Sequence, residues 1–167
     1  IFVDDGSDDK TSLMIKNFDI DQNKIEIIPS ASALKFKFSK IKNKKEYNIG
    51  YFGSLDSSKG SDFVIKLENK YNKNKYFIYG GTKEQVISLK KKNAKKNIQI
   101  NPSIPYGALN KIISKMDILL MPSNSKKLRA LGGIGNIAKY TSPLKLFDYL
   151  SSGKLIISSN LKVFHEI

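Results

Sequence analysis

With 167 residues, 40% of them hydrophobic, the chain is long enough to bury one core and too apolar to be disordered. It has no cysteine and one histidine, His165. Thiol nucleophiles are therefore excluded, and zinc sites and Ser-His-Asp triads nearly so. Net charge is +14, and Arg129 is the only arginine. Sequence-specific base readout relies on arginine forks, so it is disfavoured, whereas phosphorylated substrates and anionic lipid stay open. No apolar run approaches the roughly 18 residues of a membrane span, and no leader peptide is visible.

In chain order, the start Ile1-Phe2-Val3 is apolar and runs into an aspartate cluster, Asp4, Asp5, Asp8 and Asp9, which reads as a turn with an N-cap. From 47 onward strands and helices alternate. Strands are expected at 47–52, 75–79, 97–100, 118–121 and 155–158. Helices are expected at 59–71, 83–92, 106–115 and 144–150, with another starting near Leu161. Such alternation predicts an α/β fold with a Rossmann-like parallel sheet and helices on both faces. Phe63, Val64 and Leu67 would form the inner face of the 59–71 helix. Lysine–asparagine runs at 42–45, 70–75 and 90–96 read as solvated turns and helix ends. The stretch 123–140, with Gly132, Gly133 and Gly135, is too long for a simple connection and suits a glycine-hinged loop.

The segment Tyr140-Thr-Ser-Pro-Leu-Lys-Leu-Phe-Asp-Tyr-Leu-Ser-Ser-Gly-Lys154 carries the clearest chemistry. Ser142 can cap a helix and Pro143 suits its first position. Leu144, Phe147 and Leu150 recur at helical spacing and would bury one face, and Gly153 ends the helix. A capped N-terminus with Lys145 in its first turn can hold phosphate through N–H groups, dipole and cation together. Asp148, one turn on, could accept hydrogen bonds from a sugar hydroxyl. The same spacing equally suits a surface helix with a Lys–Asp pair worth roughly 0.2–0.5 kcal/mol.

This segment, continued through Leu-Ile-Ile-Ser to Glu166-Ile167, resembles the nucleotide-sugar-binding part of group 1 (family 4-like) retaining glycosyltransferases of the GT-B fold. Ser142, Pro143, Lys145, Gly153, Lys154, Glu166 and Ile167 match the family's order. Asp148 replaces the usual glutamate, Leu155 a proline, and Tyr140 the first acid of a Glu-x(7)-Glu pair. A second match, 48–71, resembles the family's first strand, glycine turn and Lys-Gly helix start, with Gly53, Lys59 and Gly60 in place and Ser54 where a basic residue often stands. A third, 97–123, resembles the strand, nucleobase loop (Pro102 to Pro105) and strand ending in Pro-Ser. Residues 24–36 look like the end of a GT-B N-terminal domain. Asp-Asp-Gly-Ser near the start also resembles GT-A enzymes, but the Asp-x-Asp metal site those require does not follow.

The resemblance implies residues 1–46 as the end of an N-terminal domain plus linker, residues 47–167 as the donor-binding domain, and a chain that is a piece of a longer protein. It implies a glycosyltransferase, hexosyltransferase-like, taking a UDP- or GDP-linked sugar without a metal cofactor and transferring it with retention to a glycan or lipid-linked acceptor. This fragment alone would be inactive. Lys59 and Lys145 would neutralise the diphosphate, Ser142, Pro143 and Leu144 cradle it, Gly53 admit close backbone approach with Ser54 next to it among the donor-binding residues, Ile104 touch the base and Asp148 bind the ribose. It further implies a cytoplasmic enzyme in polysaccharide or glycolipid assembly, with peripheral contact to the inner face of the membrane as a use for the lysines, and no nucleic-acid partner. Two alternatives stay open: a GT-B relative with other chemistry, such as an epimerase or phosphorylase, and a non-catalytic basic module binding nucleic acid or membrane.

Overall fold

The computed structural model describes residues 31–37, 43–56, 59–93, 96–124 and 144–165. The aspartate cluster, Ser142, Pro143, Tyr140, the glycine-rich stretch and Glu166-Ile167 lie outside them. Five strands, β1 (Asn48–Phe52), β2 (Lys75–Tyr79), β3 (Ile98–Asn101), β4 (Ile118–Met121) and β5 (Leu155–Ser158), form one sheet in the order β3-β2-β1-β4-β5. All pairings are parallel, with Tyr51 opposite Ile78 and Leu120, and Leu119 opposite Ile156. The helices are α1 (Ser61–Lys70), α2 (Lys83–Lys92), α3 (Leu109–Ile113) and α4 (Leu144–Ser151).

Strand periodicity of two sorts the core into two layers. Ile49 and Tyr51 of β1 join Ile78, Ile100 and Leu120 beneath Val64 and Ile65 of α1 and Val86 of α2. Phe52, with Leu119 and Met121 of β4, meets Ile113, Met116, Leu146 and Tyr149 on the opposite face. Helices therefore cover both faces, as the alternating pattern predicts. Residues 31–37 lie on this second face through Leu34 and Phe36.

The helix faces differ from the sequence expectation in two places. In α4 the buried residues are Leu146, Asp148 and Tyr149, while Leu144 and Leu150 are exposed. The helix has apolar residues on nearly every side, so spacing alone permits two faces. Tyr149 decides between them: it stacks edge-on against Phe52, and its hydroxyl accepts the Phe52 N–H (3.1 Å). In α1, Ser61, Val64, Ile65 and Glu68 are buried and Phe63 points outward. The helix expected at 106–115 is shorter, a 3₁₀ turn at Tyr106–Ala108 followed by α3, with Gly107 in the tight turn. The last turn, Lys162–Phe164, is also 3₁₀. By contrast α2 starts as a capping box, in which Thr82 Oγ accepts the Gln85 N–H (3.3 Å) and Gln85 Oε1 accepts the Thr82 N–H (2.9 Å).

The lysine runs fall where solvation was expected: Lys90, Lys91 and Lys92 are exposed in the last turn of α2, where their charge also suits the helix dipole. Among the described residues, two of these exposed lysines are also ion-paired, Lys75 with Glu46 (2.6 Å) and Lys44 with Asp117 (2.6 Å), which also accepts the Asn48 N–H (2.9 Å). That junction ties the entry of β1 to the entry of β4.

Replacing Tyr149 by Phe keeps the ring but leaves the buried Phe52 N–H without its acceptor. The expected loss is about 1–3 kcal/mol of unfolding free energy, read from urea unfolding.

Candidate functional site

Strand order reverses between β1 and β4, because β2 and β3 extend from one side of β1 and β4 and β5 from the other. At such a switch point the chain leaves the carboxyl ends of two adjacent strands in opposite directions and opens a crevice. Gly53 follows β1 and Pro122 follows β4. Gly60, at the entry of α1, adopts φ 88° and lies so close to Pro122 that a Cβ would overlap its carbonyl oxygen. Only glycine fits that left-handed, crowded position.

The turns at this edge are bonded to one another. Gly53 N–H donates to Tyr79 O (2.9 Å), Gly80 N–H to Asn101 O (3.0 Å) and Ser103 N–H to Gly81 O (3.1 Å). The base-facing loop predicted at Pro102 to Pro105 is thereby held against the turn after β2, with Ile104 half-buried in it.

Lys145 reaches across from α4 to this edge. A Cβ on Gly53 would overlap its Nζ, so the missing side chain makes room for the ammonium. Nζ also lies 5.1 Å from the centroid of the Tyr51 ring, a cation–π contact worth on the order of 0.5–2 kcal/mol. Tyr51 is fully buried, and its hydroxyl lies against the backbone carbonyls of Ser54 (2.7 Å) and Lys59 (3.2 Å). One side chain of the central strand thus supports Lys145 with its ring and the Gly53–Ser54 turn and Lys59 with its hydroxyl.

Lys59 joins the same site. Burial pushes its ammonium down from the usual lysine range, and the charge of Asp56 opposes that shift. Lys145 is pushed down to about 8, first by burial and then by the positive charge of Lys59. Two cations that repel each other in a partly dry crevice are electrostatically suited to an anion. Lys59, Lys145 and Gly53, all named from sequence, are brought together. Ser54 is exposed beside them and Leu144 exposed at the start of α4. Asp148, one turn beyond Lys145, is buried, and its Oδ1 accepts hydrogen bonds from Ser32 (2.6 Å) and Tyr106 (2.8 Å). Among the described residues no three His, Cys, Asp or Glu side chains come together as a metal cluster. Nor is any helix among them long and apolar enough to cross a membrane.

Residues 32–167 match the family model of group 1 glycosyl transferases. The chain belongs to the group 1 glycosyltransferases. Its fold is similar to that of AviGT4, a glycosyltransferase involved in avilamycin A biosynthesis (TM-score 0.61, 10% identity, 87% of this chain and 42% of that one). It is also similar to the GtfA/B complex (TM-score 0.52, 17% identity, 92% and 29%). A third similar structure is WaaG, a glycosyltransferase involved in lipopolysaccharide biosynthesis (TM-score 0.50, 14% identity, 95% and 49%). The chain thus spans less than half the length of each of these structures. By sequence alone no curated protein is significantly similar to it. The Rossmann-like sheet is the one the GT-B resemblance implies.

In this member of the family, sequence reasoning missed Tyr51, Tyr106, Tyr149 and Ser32. Tyr51 reads as one more apolar residue of a buried strand, and nothing local shows that its ring will meet Lys145. Tyr106 follows Pro105 in a loop, where an aromatic hydroxyl is a weak signal without its partner.

The depressed ammonium of Lys145 makes a signed prediction. Folding releases its proton between about pH 8 and the ordinary lysine value of 10.5. Its charged form therefore costs stability in full below pH 8, and the cost fades as pH rises through that window. Lys145→Met should unfold at higher urea than the native chain at neutral pH, by on the order of 2–3 kcal/mol, and the gain should vanish near pH 10.5. An equal or lower midpoint at neutral pH would show that the ammonium is not held against its own desolvation.

Proposed function

We propose that this chain is the donor-binding half of a retaining glycosyltransferase, which takes a hexose from a UDP- or GDP-linked donor. The observation that carries the reading is the Lys145 ammonium seated against Gly53 at the switch point of the sheet, near enough to Lys59 for the two charges to repel. A pair of partly dehydrated ammonium groups suits a diphosphate, the one part of a nucleotide sugar that carries concentrated negative charge.

In the transfer step the bond between the anomeric carbon and the diphosphate oxygen breaks, and the diphosphate leaves with growing charge. Fixed cations aimed at that oxygen gain more in the transition state than in the ground state, which lowers the barrier. Lys145 cannot swing away readily, because Tyr51 lies under it and Gly53 beside it. Its binding energy is set aside in advance as the cost of desolvation, and the arriving anion recovers it. Gly53 leaves no side chain between the ammonium and the ligand. We assign Ser54, Ser142, Pro143 and Leu144 to the phosphates, Ile104 to the base and Asp148 to the ribose. No protein nucleophile is assigned and the positive charge comes from the two lysines, without a metal. The acceptor, a glycan or lipid-linked sugar, is met by parts of the enzyme outside this domain, and the surface lysines supply peripheral contact with anionic membrane.

In full-length protein, Lys145→Ala should lower transfer about 30- to 1000-fold, the equivalent of roughly 2–4 kcal/mol of transition-state stabilisation. Wild-type turnover would overturn the assignment. Titration of the chain with UDP, GDP and single-stranded DNA at two salt concentrations checks the ligand class. The expected result is binding that depends on nucleotide identity and survives moderate salt. Binding that ignores nucleotide identity and vanishes with salt would mark a nonspecific basic surface instead.

A further inference from the structure

Three elements that are far apart in sequence meet at the Asp148 carboxylate. Ser32 Oγ donates to Oδ1 from the 31–37 stretch (2.6 Å), and Tyr106 donates to the same oxygen from the turn after β3 (2.8 Å). Both hydroxyls are themselves held. Tyr106 accepts the Ala33 N–H (3.3 Å), and Ser32 Oγ accepts the Leu34 N–H (3.1 Å). Ser151, one turn beyond Asp148, lies 3.2 Å from Ser32 Oγ and 2.8 Å from the Asp148 carbonyl. Asn110 Nδ2 donates to Lys35 O (3.3 Å), and Leu34 and Phe36 pack on the core below, so the backbone carrying Ser32 is fixed as well.

Both donors fall on one oxygen of a group that has roughly four acceptor sites on two oxygens. Two donors on a single oxygen fix the rotation of the carboxylate, so its second oxygen is aimed along a set direction. Tyr106 is half exposed and lies two residues beyond Ile104 in the loop that runs along the crevice. Lys145 stands one turn before Asp148 on the same helix. The carboxylate is therefore bonded to the residue that follows the loop assigned to the base and stands one turn from the lysine assigned to the diphosphate, a placement that suits a ribose.

We infer that Ser32 and Tyr106 are positioning residues for donor recognition, orienting the Asp148 carboxylate toward the vicinal hydroxyl pair of the nucleotide ribose. The inference rests on the donor-site reading given above. Neither hydroxyl touches the sugar; each acts through Asp148. A carboxylate free to rotate would bind the diol too, but would first have to give up that freedom, and the hydroxyls remove this cost before the ligand arrives.

The test compares UDP and GDP with their 2′,3′-dideoxy analogues by calorimetry, in the native chain and in the Asp148→Asn, Tyr106→Phe and Ser32→Ala variants. The native chain should prefer the ribose form, and Asp148→Asn should bring the ratio near one. Tyr106→Phe and Ser32→Ala should each reduce the ratio about 3- to 10-fold while leaving the dideoxy affinity unchanged. A native ratio in both hydroxyl variants, with the ratio lost in Asp148→Asn, would overturn the positioning role and leave the donor site standing. Equal losses for ribose and dideoxy forms would also overturn it, reducing the network to a staple for residues 31–37. A ratio unchanged in Asp148→Asn, or no nucleotide binding at all, would instead refute the donor-site reading on which the inference depends.

Discussion

Tyr51 is the piece on which the candidate site rests. It projects from the central strand into the layer under α1 and α2, and its ring is the surface beneath the Lys145 ammonium. Its hydroxyl meets the backbone carbonyls of Ser54 and Lys59. Burial pushes the phenol well above its usual range, so it stays neutral and keeps its proton available for those carbonyls. Removing the ring would release one lysine, and removing the hydroxyl would loosen the backbone that carries the other. A single residue thereby fixes the separation of two like charges.

Holding those charges close opposes folding, because each ammonium is partly dehydrated and each repels its neighbour. The parallel sheet provides the stability that tolerates this. Its two core layers are filled by strand residues of alternating direction, and the turns at its carboxyl edge are tied by backbone hydrogen bonds from β1 across to the loop after β3. A rim built this way is pre-formed by the fold. That is the condition under which fixed charges stabilise a transition state more effectively than water does.

The second face has a different role. There α4 lies against the sheet with Tyr149 anchored on Phe52, and this anchoring determines where Lys145 and Asp148 point. The 31–37 stretch closes over the same helix, with Leu34 and Phe36 in the core and Ser32 on the Asp148 carboxylate. A segment preceding the first strand is therefore physically continuous with the side of the crevice assigned to the donor, and any shift in that segment would be felt at the carboxylate.

Much of this was legible in the residues themselves. The β2, β4 and β5 strands and the α2 helix fall on the expected residues, because their apolar runs are short, uniform and bounded by turn formers or a capping pair. Gly53, Lys59 and Lys145 were legible because a glycine after a strand and a lysine at a helix start report backbone needs that are local. The choice of buried face in α1 and α4 was not. Both helices carry apolar residues on more than one side, and the contact that breaks the tie, such as Tyr149 with Phe52, joins residues 97 apart. The same holds for the hydroxyls of Ser32 and Tyr106 and for the ring of Tyr51, whose partners are remote in sequence. Periodicity and turn chemistry determine which segments become strands and helices, since these act over a few residues. Only packing across the sheet determines which side chains meet, since that depends on strand order and on the space each neighbour leaves.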